Sequence, residues 1–427
     1  MERLQQQGGD LLADRVAVGV LTRVFPPELV DRVVDQFGVR EQRMRALPAR
    51  LMVYYVLTRV MFFRLGYGEV WDKLVAGLAW ARPFAAGLPR EIQPTPAAIT
   101  YARKRLGWQV MAVLVEEVTG PQAREGPGHA GVGGMRLVAL DEVPLSLPNT
   151  PRNVSVFGYP PGDPEPGPVP QARAVALGEC GTSAILSAGV SGAASDGTPL
   201  VRTLLRKLLP GDLLVVGSTL PPYDLLGEVI AAGVHVLWQA GPGEDLPRLS
   251  TLPDGTYLSR LAGPAARAGG GGTASGLAVR VIPGTGEGPP AAGGPGKLLL
   301  VTDVLDAQAL PAKAGIAAYT SRWHLDDCFR TLDLLSPEGA VMLRSKDPDL
   351  IRQEVHATLC CYQAVRLLVS PPNGQAVPEA VPIDRQGAAD RLVHDLPGRP
   401  GLRWGGPGPV AEAQGIPRPR RPPEAGR

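Results

Sequence analysis

The order of strand-like and helix-like segments between residues 135 and 240 constrains this chain more than any other feature. MRLVALDEVPLSLP alternates and is rich in β-formers, ARAVALGEC and SAILSAGVSG follow as two further strands, and Gly181-Thr182 suits a tight turn between the last two. Three strands in hairpin order are therefore expected. TPLVRTLLRKLL then reads as an amphipathic helix capped by Thr198, DLLVVGS as a buried strand, YDLLGEVIAAG as a helix ending at Gly233, and VHVLWQA as another strand. Such an order belongs to an α/β domain.

On the N-terminal side, apolar residues recur at three- and four-residue steps in LLADRVAVGVLTRVF and ELVDRVVDQFGV, with Pro26-Pro27 and Gly38 as punctuation. Leu51 to Phe63 is an apolar run of 13 residues interrupted by Arg59, too short for a membrane span of about 20. It reads as the buried helix of an all-helical domain over 1–118. Thr95 caps, and Pro96 opens, one helix through AAITYARKRLGWQVMAVLVEEV, which carries Arg103, Lys104 and Arg105 as a basic turn. That turn is either a DNA-backbone contact or an ordinary solvated face. Residues 119–134 form a Gly- and Pro-rich linker, and a second domain spans 135–369.

Between about 241 and 314 short strands and turns predict a β insertion, with the glycines from Ala268 as a loop and not a phosphate cradle. VMLRSKDPDLIRQEVHATLCCYQAVRLLV supplies a strand, a basic turn at Arg344-Ser345-Lys346 and a long helix. The tail, 370–427, is too rich in Pro, Gly and Arg to bury a core and is expected to be disordered. The net charge of +2 neither demands nor excludes a nucleic-acid partner. Cys180, Cys328, Cys360 and Cys361 include no CxxC pair, so neither a zinc site nor a disulfide framework is supported, and a reducing cytoplasm fits best. The opening MERLQQQGGD has no apolar h-region, so no signal peptide and no membrane partner are expected.

Ala317 to Leu335, AAYTSRWHLDDCFRTLDLL, carries the polar chemistry. Read as one helix, it places Tyr319, Arg322, Asp326 and Asp333 within roughly 60° of one another, with Leu325, Cys328, Phe329 and Leu332 as an apolar flank. A solvated polar face is the alternative reading of that stripe. The spacing resembles Y-x2-R-x3-E-x6-K, usually with Trp after the Arg, the signature helix of bacterial transposases of the insertion sequence 4 family, a DDE class. Tyr319, Arg322 and Trp323 match, Asp326 stands where the family has Glu, and Asp333 stands where it has Lys. Arg103, Arg105, Leu106 and Gly107 are similar to a stretch of that family's N-terminal helical domain.

The resemblance implies an α/β, RNase H-like catalytic domain with a β-strand insertion, preceded by the helical domain. It further implies Mg²⁺-dependent cleavage and strand transfer of double-stranded DNA at transposon ends, by a homodimer in a synaptic complex. In that scheme Asp141 and Asp326 hold the metal, and Tyr319, Arg322, Arg103, Lys104, Arg105, Arg344 and Lys346 touch DNA. The second of the three acids is absent: Gly217 takes the Asp position and Ser218 the Arg position that follows it. Asp212 is about five residues away along the strand, some 16 Å when extended, and Asp224 lies within the next helix. With one acid missing, one shortened and the lysine reversed in charge, the expected activity is weak or lost. The alternative is a non-catalytic DNA-binding remnant or inhibitor of transposition.

Overall fold

The computed structural model describes residues 18–43, 45–80, 93–119, 131–160, 169–217, 222–241, 246–263, 276–285, 297–332, 334–335 and 341–369. The predicted tail, most of the linker and Asp333 lie outside these residues.

Eleven-residue β1 (Arg136–Ser146) is the centre of the sheet. It pairs antiparallel with β2 (Gln171–Glu179), which pairs antiparallel with β3 (Ala184–Gly192). The Glu179 carboxylate closes the predicted turn by accepting the N–H groups of Gly181 and Thr182 at 2.9 and 2.7 Å. On its other edge β1 pairs parallel with β4 (Asp212–Val216), and β4 parallel with β5 (His235–Gln239).

The strands expected as a β insertion continue the main sheet. β6 (Ser250–Thr251), β7 (Tyr257–Ala262), β8 (Gly276–Thr285) and β9 (Lys297–Thr302) extend the same sheet antiparallel from β5, giving the order β3-β2-β1-β4-β5-β9-β8-β7-β6. The short β10 (Val341–Met342) pairs parallel with the far end of β1.

Period-2 alternation divides the strands between two faces. Val138, Leu140, Leu214, Val216 and Trp238 pack with Leu204, Leu205, Leu225 and Leu226 of the two helices that connect β3 to β5. Leu213, Val215 and Leu237 point the opposite way, into a core with Ala318 and Tyr319. Further along that opposite side, Ala139, Val143, Ala174 and Ala176 share one core with the N-terminal helices.

Those helices are α1 (Pro27–Gln36), α2 (Ala49–Met61), α3 (Tyr67–Trp80), α4 (Pro96–Leu106) and α5 (Gln109–Thr119). As its composition implies, α2 is buried all round from Leu51 to Val60. Thr95 does cap α4, its hydroxyl accepting from Ala98 N–H at 3.2 Å. The single helix expected from residue 97 onward is two: Gly107 adopts φ +77°, open to glycine and unfavourable to other residues, and ends α4.

A charged cluster ties this layer to the long C-terminal helix, Pro348–Val369. Glu354 is fully buried, with Arg59 Nη1 3.4 Å from its Oε2, and it also accepts the Ser345 hydroxyl and the Arg344 N–H. Arg103, also fully buried, donates to Gln353 at 3.0 Å and to the Tyr67 hydroxyl at 3.1 Å. Burial alone would raise the Glu354 pKa, but the charges of Arg59 and Arg103 hold it below the ordinary value of 4.5.

Replacing Glu354 by Ala leaves two guanidinium groups without their counter-charge, and we expect a loss of about 3–5 kcal/mol in urea unfolding. A loss under about 1 kcal/mol would show that the cluster does not hold the layers together. Because the folded pKa is depressed, the carboxylate's contribution is full above its unfolded pKa and fades as pH falls through the lower folded value. Glu354→Gln should therefore flatten the acid limb of the stability profile.

Candidate metal centre

Asp141 shares its side of β1 with Leu137 and Ala139, since side chains alternate. It lies within β1 and not at its end. β1 runs on to Ser146 beside β2, whereas β4 stops at Val216, opposite Leu140, so among the described residues no strand pairs with β1 on that edge between Asp141 and Pro144. Gly217 follows there, its N–H donating to the Leu140 carbonyl at 3.2 Å. A Cβ built on Gly217 would lie 2.8 Å from Asp141 Oδ1 and 3.8 Å from Arg322 Nε. Residue 217 is thus the neighbour of Asp141, and it carries no ligand. Asp212 is held at the other end of β4 by Arg136, at 2.6 Å.

The expected continuous helix over 317–335 is absent. α9 (Ala312–Thr320) and α10 (Asp326–Thr331) are separated by a non-helical turn at 321–325. For this numbering α6 (Pro151–Phe157) follows β1, while α7 (Thr198–Leu205) and α8 (Tyr223–Ala231) flank β4. The break follows from packing. Ala318 and Tyr319 belong to the core beside β4 and β5, whereas Trp323, Leu325, Cys328, Phe329 and Leu332 belong to the core beneath the N-terminal helices. One straight helix cannot fill both.

Backbone donors released by the turn find acceptors: Leu325 N–H donates to Asp141 Oδ2 at 2.9 Å, and Trp323 N–H to Cys180 Sγ at 3.5 Å. Burial pushes the Cys180 thiol up to about 12, so it stays protonated. The Trp323 indole lies flat against β2 at Gly178, where any Cβ would collide with the ring.

The turn brings Asp326 to Asp141 and adds His324. One ligand atom from each of the three lies within 4.8 Å of the others, with His324 Nδ1 3.7 Å from Asp141 Oδ2. Ligands about 2.1 Å from an ion are at most about 4.2 Å apart, so side-chain shifts of roughly half an ångström would close the set. Two carboxylates and an imidazole are a donor set that fits a divalent cation. Asp326 also pairs with Arg330 at 2.6 Å. Burial and the adjacent Asp326 push Asp327 above the ordinary carboxylate range.

His324 was invisible to the helix reading, because residues two apart on a helix point about 200° away from one another. The signal was the dipeptide Trp323-His324 itself, once a turn is allowed there.

The residues expected to touch DNA divide sharply. Arg103 is a correction: fully buried in the Glu354 cluster, it offers no group to a phosphate. Tyr319 is a second: it is buried and donates to Gln239 Oε1 at 3.0 Å, and burial raises its pKa. Arg322 stacks over the Tyr319 ring, and its Nε is buried without a hydrogen-bond partner among the described residues. Lys104 pairs with Asp347 at 2.8 Å, and Arg105 with Glu41 at 3.0 Å. Arg344 is exposed yet donates to the Leu65 carbonyl at 3.1 Å, and Lys346 is exposed.

Residues 15–116 match the family described as insertion element 4 transposase N-terminal. The chain is also 26% identical over 345 residues to transposase InsG for insertion sequence element IS4 of Escherichia coli (strain K12), covering 80% of this chain and 74% of that protein. The chain is related to insertion sequence 4 transposases. Among solved structures it is similar to a piggyBac transposase, in a synaptic complex with hairpin DNA, at a TM-score of 0.41 and 10% identity over 88% of this chain and 79% of that one. That likeness is too slight to argue from. No helix among the described residues is long and apolar enough to cross a membrane.

The Trp323 seat gives a test of the turn. Gly178→Ala should destabilise the protein by about 1–3 kcal/mol by overpacking against the indole, measured by thermal or urea unfolding. In a Trp323→Ala background the same change should be nearly neutral, because the colliding ring is gone. Equal losses in both backgrounds would show that the ring does not rest on Gly178.

Proposed function

We propose that this chain is a transposase that binds the double-stranded DNA ends of a mobile element and cleaves them with a divalent cation, at low turnover. The observation that carries the reading is the convergence of Asp141 and Asp326 beside Gly217, from a strand and the start of a helix about 185 residues apart in sequence. The kinship to insertion sequence 4 transposases supports the substrate. The strand order β3-β2-β1-β4-β5, antiparallel over the first three and parallel over the rest, supports an RNase H-like core. The helical segment before residue 119 is then the DNA-binding portion, and two copies pair in the synaptic complex. A cytoplasmic setting follows from that role.

When bound, the cation, Mg²⁺ by the resemblance, supplies Lewis-acid activation of a phosphodiester and of the attacking water. Asp141 is fixed for this role by the Leu325 N–H at its Oδ2, which leaves Oδ1 turned toward residue 217. Asp326 lies at the first turn of α10 and must exchange Arg330 for the metal. Its side chain ends about 1.5 Å short of a Glu, and misplacement on that scale lowers rates by roughly 10²-fold. Gly217 offers no side-chain oxygen for a second ion, so the arrangement fits one cation held by the described residues better than two.

The test is metal-dependent nicking of element-end DNA alongside gel-shift binding at two salt concentrations. Wild-type protein should bind with a salt-dependent affinity and nick slowly, and Asp141→Asn should cut nicking by at least the 10–100-fold typical of lesser changes around a metal. Gly217→Asp with Asp326→Glu should raise it, the new Cβ displacing the free end of Asp141. Binding with no nicking in any variant would favour the non-catalytic remnant. Neither binding nor nicking would overturn the proposal.

A further inference from the structure

We infer that His324 is a metal ligand and that it turns the centre toward divalent transition cations such as Mn²⁺ and away from Mg²⁺. This rests on the reading of Asp141 and Asp326 as metal ligands. Three observations carry it. Gly217, the position adjacent to Asp141 Oδ1, carries no carboxylate. The turn at 321–325 swings His324 to the same carboxyl group, with Nδ1 3.7 Å from Asp141 Oδ2, while Asp326 completes a set within 4.8 Å. The turn is held by Trp323 against β2 and by Leu325 N–H on Asp141, so the imidazole is delivered by packed elements on both sides of it.

The chemistry follows from ligand type. Mg²⁺ is small and hard, takes oxygen ligands in near-octahedral geometry and gives up water reluctantly. An imidazole nitrogen suits first-row transition ions, whose affinities for such a site rise from Mn²⁺ onward, so Mn²⁺, at the weak end of that series, is the most stringent of them as a probe. Asp–His–Asp therefore suits one ion with open positions for water and phosphate oxygen. The absence of an acid at 217 and the presence of an imidazole at 324 set which ion the site selects as well as the number of ligands.

Titration calorimetry on the full chain, with Mn²⁺ and Mg²⁺ as separate probes, tests this. Mn²⁺ should bind roughly tenfold or more tightly than Mg²⁺. His324→Ala, at a side chain that is partly exposed, should weaken Mn²⁺ by about 10-fold or more and Mg²⁺ by less than about threefold. The nitrogen modulation in the electron spin-echo signal of bound Mn²⁺ should vanish in that variant. Asp141→Asn should weaken both ions. If His324→Ala moves neither affinity nor spectrum while Asp141→Asn moves both affinities, the metal centre stands and the role of His324 is overturned. If neither ion binds the wild-type chain, or if Asp141→Asn leaves Mn²⁺ binding intact, the centre itself is wrong and the inference falls with it.

Discussion

The buried charges around Glu354 decide how the rest of the molecule can be assembled. A carboxylate removed from water is tolerated only when opposite charge and hydrogen bonds replace its hydration. Here the replacements come from three separate places: Arg59 on α2, Arg103 on α4 nearby, and one turn that supplies both the Ser345 hydroxyl and the Arg344 N–H. Gln353, the adjacent residue, bonds the Arg103 and Gly107 carbonyls at the end of α4, at 3.0 and 2.8 Å. The N-terminal helices, the Arg344-Ser345-Lys346 turn and the C-terminal helix therefore have one mutual arrangement in which these groups are all satisfied.

That arrangement reaches the metal centre through the shared core. The helix carrying Glu354 also carries Tyr362, whose hydroxyl accepts from the Trp323 indole at 3.4 Å and donates to the Ser183 carbonyl at 3.2 Å. Trp323 in turn lies on Gly178, and the turn it anchors presents His324 and Leu325 N–H to Asp141. The position of the candidate ligands is thus set by packing between β2 and the C-terminal helix and not by local helix geometry.

Much of the sheet could be read from the chain because period-2 alternation and turn residues are local signals. β1, β2 and β3, the capped start of α4 and the largely apolar α2 follow from such signals. A local pattern misleads where distant residues overrule it. Arg103, Lys104 and Arg105 look alike in sequence, yet only Arg103 is drawn into the interior, because Gln353, Tyr67 and Ser345 wait for it there. Tyr319 and Arg322 share a helical stripe with Asp326 only if the helix is continuous, and two different cores prevent that.

The amino-acid sequence by itself determined the α/β class, the succession of strands and helices up to β5, and the similarity to insertion sequence 4 transposases. Each depends on residues close together in the chain or on a spaced motif, and neither needs long-range contacts to be recognised. Tertiary structure alone decided that β6 to β9 join the main sheet, that Arg103 and Tyr319 are interior groups, and that His324 meets Asp141 and Asp326. These depend on which surfaces are buried against one another, and a helix that must serve two cores breaks where neither local propensity nor spacing would place the break.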